Sequence, residues 1–324
     1  MLKDDVERAM PMLRITADDD TPRLHGASTP LLPVLRHALA SDPGPVTIMV
    51  HGFKYAPGVA GRCPHASIFA RDVTPVRGRE ISWPRHLGLR GQRGEGLGVS
   101  FGWPAHCSIW QAHARAEQAG VALARMVAMI RDLSPRRPVH VVAHSLGARV
   151  ALAAVRAGQP GAITRTILLA AAEYGETARA ALSSDAGRQT QVLNVTSREN
   201  DLFDFLMERA VASHHPGDRM LGHFPTHLPN MVTLQLDDPE ALAALRRAGY
   251  PIAPPERRVC HWSPYLRAGV FPLYCAFLSG EMPLPVLRAA LPEAPAPRWS
   301  RLLPLRALRA SRASRDAPHG VTQA

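Results

Sequence analysis

Apolar positions along the chain fall into two alternating kinds of segment. A short continuous apolar run with β-branched residues occurs at Val46–Val50, and Leu97–Phe101, Val139–Ala143, Thr164–Ala170, Gln191–Thr196 and Met231–Leu236 are strand-like as well. Turn residues bound them, which is the pattern of strands buried on both faces of a sheet. Between these runs apolar residues recur at three- and four-residue steps. Leu123, Met126, Val127, Ile130 and Leu133 do so most clearly, predicting a long helix from a cap at Ser108 to Leu133. Further helices are predicted over Pro30–Leu39, Ala148–Ala157, Glu176–Leu182 and Asp201–Val211, with a short strand near Met12–Thr16. Strands joined by crossover helices imply an α/β domain: a mostly parallel central sheet with helices on both faces.

Three stretches fall outside this alternation. Residues 55–95 are rich in Gly, Pro and Arg and read as an excursion over the surface. After Leu236 a polar, Pro-rich stretch leads to Cys260-His261-Trp262 and an apolar segment from Val270 to Leu278. Residues 292–324 carry Pro292, Pro295 and Pro297, then six arginines from Arg298 to Arg315. The expected organisation is a domain over 1–291 and an Arg/Pro-rich flexible tail over 292–324, whose sharper use is contact with a membrane surface.

Composition narrows the function classes. With 46% hydrophobic residues the chain has the material for a buried core, which excludes disorder as its main state. No apolar run reaches the ~18 residues of a membrane span. The amino-terminal Met1-Leu2-Lys3-Asp4-Asp5 lacks the basic-then-apolar pattern of a secretory signal, so a cytoplasmic location is expected. Cys63, Cys107, Cys260 and Cys275 are scattered without metal-ligand spacing, and no metal is expected. The net charge of +11 invites a nucleic-acid reading. Yet only Lys3 and Lys54 of the basic residues are lysine, the arginines are dispersed, and no nucleic-acid-binding motif accompanies them. Nucleic-acid partners are not expected.

The chemistry-bearing feature is the strand–turn–helix around Ser145. A hydroxyl projected from a tight, strained turn at the carboxyl edge of a sheet needs small neighbours two positions away, which Ala143 and Gly147 supply. The helix that follows brings backbone N–H groups and a positive dipole end to a developing oxyanion. His51-Gly52-Phe53 ends an earlier strand, and Gly52 allows a sharp turn that aims the Phe53 N–H at the same space as that of Leu146. Phe53 and Leu146 are the expected oxyanion donors, with Gly52 as the turn.

Val46–Phe53 together with Val139–Val150 resembles the alpha/beta-hydrolase superfamily, in its esterase/lipase-like branch. Gly102-Trp103-Pro104, Ala143-His144-Ser145-Leu146-Gly147, Ser197-Arg198-Glu199-Asn200-Asp201 and His261-Trp262-Ser263 resemble a bacterial group of such hydrolases. The resemblance covers about residues 30–280; Ala143 departs from the superfamily's usual Gly. It implies the alpha/beta-hydrolase fold and the chain order nucleophile, acid, histidine. Asp201, just past Gln191–Thr196, is then the expected acid, with Glu173, Glu199 and Asp204 as rivals. His261 is the expected general base, ahead of His214, His215, His223 and His227, whose spacing fits no metal site. His144 is expected to point away from the triad.

The implied reaction is hydrolysis of a small or medium acyl ester by a Ser145–Asp201–His261 triad through an acyl-enzyme, with no cofactor. Trp83, Trp103 and Trp262 are candidate pocket walls, though aromatics more often pack in the core. The short segment between Ala170 and Gln191 leaves no room for a large lid. The alternative is a hydrolase-fold binding or scaffold protein without turnover.

Overall fold

The computed structural model describes residues 12–73, 80–224, 227–293 and 296–299. Among these, eight strands form one sheet: β1 (Met12–Asp18), β2 (Thr21–Leu24), β3 (Val46–Val50), β4 (Leu97–Gly102), β5 (Val139–His144), β6 (Arg165–Leu169), β7 (Gln191–Thr196) and β8 (Met231–Gln235). Their order is β2-β1-β4-β3-β5-β6-β7-β8. The β1–β2 pair is antiparallel and every other pairing is parallel. Ten helices accompany the sheet: α1 (Leu31–Ser41), α2 (Trp83–His86), α3 (Ile109–Leu133), α4 (Gly147–Ala157), α5 (Gly175–Leu182), α6 (Asp201–Ala210), α7 (Pro239–Arg247), α8 (Ser263–Leu266), α9 (Val270–Ser279) and α10 (Leu284–Ala290). This is the α/β architecture expected from the sequence. None of these helices is long and apolar enough to cross a membrane.

The continuous apolar strands are buried on both faces because helices cover both. Val46, Ile48 and Val50 of β3, with Val139, Val141 and Ala143 of β5, face a core closed by α1, α3 and α4. Met49, Val142, Leu193 and Val195 face the other core, closed by α7, α9 and α10. Alternation of side chains along each strand divides them between the two layers. The register pairs Val50 with Ala143, Ala143 with Leu168 and Leu168 with Asn194. The chain therefore leaves β3, β5 and β7 at one edge, and the candidate residues follow those strands.

The segment 55–95, read as a surface excursion, also sends residues into the core. Ile68, Phe69, Trp83 and Leu89 are buried in the second core, and the Trp83 ring lies 5.5 Å from Phe69 and 5.2 Å from Tyr265. Isolated apolar residues among Gly and Pro carry no periodicity, but they fill the sheet face beside α9. Pattern reading also passes over β2 and α7. Helix α7 does carry a start signal: Asp238 accepts from the N–H groups of Glu240 (2.8 Å) and Ala241 (2.9 Å), ahead of Pro239 at the first position.

Residues 296–299, which fall in the expected tail, lie against the body. Arg298 forms a two-pronged pair with Glu208 (2.8 and 2.7 Å), Ala296 N–H donates to Gln235 (2.7 Å), and the Trp299 ring packs on Phe205. The rest of the proposed membrane-contacting segment, 300–324, lies outside the described residues.

Candidate active site

Ser145 sits between β5 and α4 with φ +55°, in the left-handed region that few non-glycine residues occupy. Three backbone bonds hold it there. Its N–H donates to Leu169 O (2.9 Å), and its carbonyl accepts from Ala148 (2.9 Å) and Ala172 (3.1 Å). Two glycines make the tight approach possible. A Cβ on Gly52 would come within 2.7 Å of Ser145 Cβ and 2.9 Å of His144 O, and one on Gly147 within 2.5 Å of His51 O. The turn after β3 and the turn after β5 are thus pressed together, which brings the Phe53 and Leu146 segments to the same cavity.

His51 fixes the Gly52 turn. Its Nε2 accepts from Trp103 N–H (3.0 Å), so Nδ1 carries the proton and donates to Gly52 O (2.8 Å). Trp103 Nε1 donates to His51 O (2.9 Å), and the two rings stack at 5.6 Å. Burial, against a raising contribution from the Gly52 carbonyl, pushes the His51 imidazole down to about 3. A neutral ring with both nitrogens bonded to backbone is a rigid strut under the turn.

Ser145 and His261 line one cavity of about 600 Å³, together with Phe53, Leu146 and Trp262. His261 reaches the cavity from the loop before α8, tied down by Cys260 N–H donating to Glu199 O (2.9 Å). Glu199 is itself held by Ser197 Oγ (3.0 Å) and a buried ion pair with Arg267. The His261 ring stacks on Phe203 at 4.7 Å and lies 4.6 Å from the His144 ring. Burial, followed by the neighbouring His144, lowers the His261 imidazole well below its ordinary value. His144 does not point away as expected: its Nε2 lies 3.1 Å from the His261 carbonyl, burial pushes it down to about 4, and so it donates there as a neutral ring.

The group on His261 Nδ1 is Asn200, with Oδ1 at 2.6 Å. Asn200 Nδ2 donates in turn to Asp204 Oδ1 at 2.9 Å. Because Asp204 takes the amide's donor end, the carbonyl end must face His261. Nδ1 then carries the proton, and Nε2 keeps the lone pair that a general base needs.

Asp201 is not brought to His261, a correction to the expected triad. It is the first residue of α6, turned about 100° from Asn200 around the helical path. It lies instead 3.0 Å from His223 Nε2 and accepts from Trp299 N–H. Asp204 Oδ2 is 3.2 Å from the same His223 nitrogen. Burial opposes charge on His223, but the two carboxylates outweigh it and push the imidazole up to about 9. Glu173 is also remote in role, buried and paired with Arg149 at 2.6 Å. Of the expected residues the structure gathers Ser145, His261, Gly52, Phe53 and Leu146 in one place. Asn200 is the residue that sequence reasoning missed, because the superfamily pattern asks for a carboxylate there. Its one sequence signal is its place directly after the turn that ends β7. Of the three tryptophans, Trp83 and Trp103 are core and Trp262 lines the cavity.

A strained serine turn after β5 of a parallel sheet, with a histidine returning from beyond β8, fits the alpha/beta-hydrolase fold. Residues 100–250 match the family model described as alpha/beta hydrolase fold. That match and the eight-stranded, mostly parallel sheet support the alpha/beta-hydrolase superfamily and a function of hydrolase type. The matched segment carries Ser145 and Asn200, while His51–Phe53 and His261 lie outside it. No curated protein matches the chain.

Proposed function

We propose that the protein is a serine hydrolase that cleaves carboxylic esters through an acyl-enzyme, with Ser145 as nucleophile, His261 as general base and Asn200 in place of the triad acid. The observation that carries this reading is a strained serine turn sharing a cavity with a histidine of fixed tautomer. His261 Nε2 takes the Ser145 proton as Oγ attacks the ester carbonyl. The N–H groups of Phe53 and Leu146 stabilise the oxyanion, each by a few kcal/mol. His261 then gives the proton to the leaving alkoxide, and water repeats the sequence on the acyl-enzyme. Asn200 Oδ1 accepts the hydrogen bond from Nδ1–H throughout, and Asp204 behind it supplies the negative charge that an amide lacks.

The test is Ser145→Ala. Cleavage of p-nitrophenyl esters and labelling by a fluorophosphonate probe are expected to vanish in a variant of unchanged circular dichroism. Labelling of another residue, or full turnover by the variant, removes the reading. The amide at the acid position favours one second reading, a hydrolase-fold binding protein; a wild-type chain inert to the probe selects it.

A further inference from the structure

The cavity wall is largely apolar, with Ile109, Phe203, Leu206, Met207 and Ala210 along one side. Only two lining residues carry charge, Asp204 and Lys54, and Asp204 is taken up by Asn200 and His223. Lys54 is exposed, and no ion pair engages it among the described residues. It is also the single lysine among those residues, in a chain whose other cations there are arginine and histidine.

Its backbone makes the position specific. Lys54 follows the oxyanion residue Phe53 directly, with φ +71°. A glycine adopts that conformation without strain, whereas a long side chain does so only where the surroundings impose it. The imposing bond is Lys54 N–H to Ala105 O at 3.0 Å. The ammonium Nζ is 5.7 Å from the centre of the Phe53 ring. The turn therefore keeps a compact, mobile positive charge at the mouth of an otherwise apolar cavity.

We propose that the substrate is an amphiphilic ester whose apolar group occupies the cavity beside α6 and whose anionic group, carboxylate or phosphate, pairs with Lys54. This inference rests on the serine hydrolase reading and extends it to a substrate class.

The experiment compares kcat/KM for three matched esters of one medium-length acyl chain, whose phenolic leaving groups are neutral, carboxylated or phosphorylated. A fourth ester of a neutral phenol carries a carboxylate at the far end of the acyl chain. Wild type is expected to prefer at least one anionic ester over the neutral one by about fivefold, the range of a solvent-exposed ion pair. Lys54→Gln should erase that ratio, Lys54→Arg should keep it, and 0.5 M salt should shrink it. The ester that responds identifies the anion and the side of the scissile bond on which it lies. Turnover of all four esters with no charge preference, or a preference that survives Lys54→Gln, overturns the inference and leaves the serine hydrolase reading standing. A wild type that cleaves none of them and escapes the fluorophosphonate probe overturns both.

Discussion

His261 Nδ1 and Asn200 Oδ1 lie 2.6 Å apart, and the amide's other end is 2.9 Å from Asp204. The amide stands between the histidine and the Asp204 carboxylate. An amide orients a ring as well as a carboxylate does, but it contributes no counter-charge when the ring becomes an imidazolium. Asp204, with His223 and Asp201 behind it, places charge next to the amide instead.

In this arrangement Asn200→Ala frees the ring and lowers kcat by about 10²-fold, the lower part of the range for general base catalysis. Asp204→Leu acts one step further out, removing the acceptor that sets the amide's direction. It should lower kcat by about tenfold with little change in KM. Steady-state kinetics on one p-nitrophenyl ester checks both. Equal losses in the two variants would place the orienting role on Asp204 rather than Asn200.

Gly52→Ala tests the contact between the two turns. The added Cβ would meet Ser145 Cβ at 2.7 Å and His144 O at 2.9 Å, and neither is the movable end of a flexible side chain. The turn after β5 or the turn after β3 must give way, at a cost of about 1–3 kcal/mol. Activity is expected to fall by at least about 10²-fold, the effect of one misplaced oxyanion donor. A variant with wild-type kcat would show that the two turns move independently.

Much of this was readable from residue order alone. The run Val46–Val50 coincides with β3 and the strand-like Gln191–Thr196 with β7; both are covered on two faces, and β7 buries Asn194 and Thr196 along with its apolar residues. Ser145 was legible because its neighbours are small for a steric reason that the structure displays at Gly147. Trp83 was not, because a single large residue among Gly and Pro reports no period. The exchange of Asn200 for Asp201 was also invisible. Two adjacent polar residues at a helix start differ only in the direction they face, and the fold sets that direction.

Low pH should destabilise the fold through its buried neutral histidines. Burial pushes His51 down to about 3 and His144 down to about 4, whereas the unfolded chain titrates near 6.5. Between those values the unfolded state binds more protons, so stability falls with decreasing pH. Each such group contributes a slope of about 1.4 kcal/mol per pH unit. Melting temperature should be level near pH 7 and drop steadily from pH 6.5 to 4. Because His261 is lowered as well, the acid limb of kcat/KM should lie below 6.5. A limb at or above that value would mean that His261 is more solvated than its packing against Phe203 and His144 implies.

At high pH the opposite sign applies to His223. Its folded value is raised to about 9 by Asp201 and Asp204, above the unfolded 6.5. Its stabilisation is therefore complete below about 6.5 and is lost as pH rises through 9. Deprotonation leaves Asp201 and Asp204 facing each other across a neutral ring, and Asp204 is the acceptor that sets Asn200. Stability and kcat should then decline together near pH 9. His223→Gln keeps a side chain of similar reach and removes the titration. It should show lower stability at pH 7 and no alkaline step in either property. Thermal melts and kcat profiles from pH 7 to 10 on both proteins check this. An alkaline decline that persists unchanged in His223→Gln would assign it to another group and detach the His223 pair from the Asn200 amide.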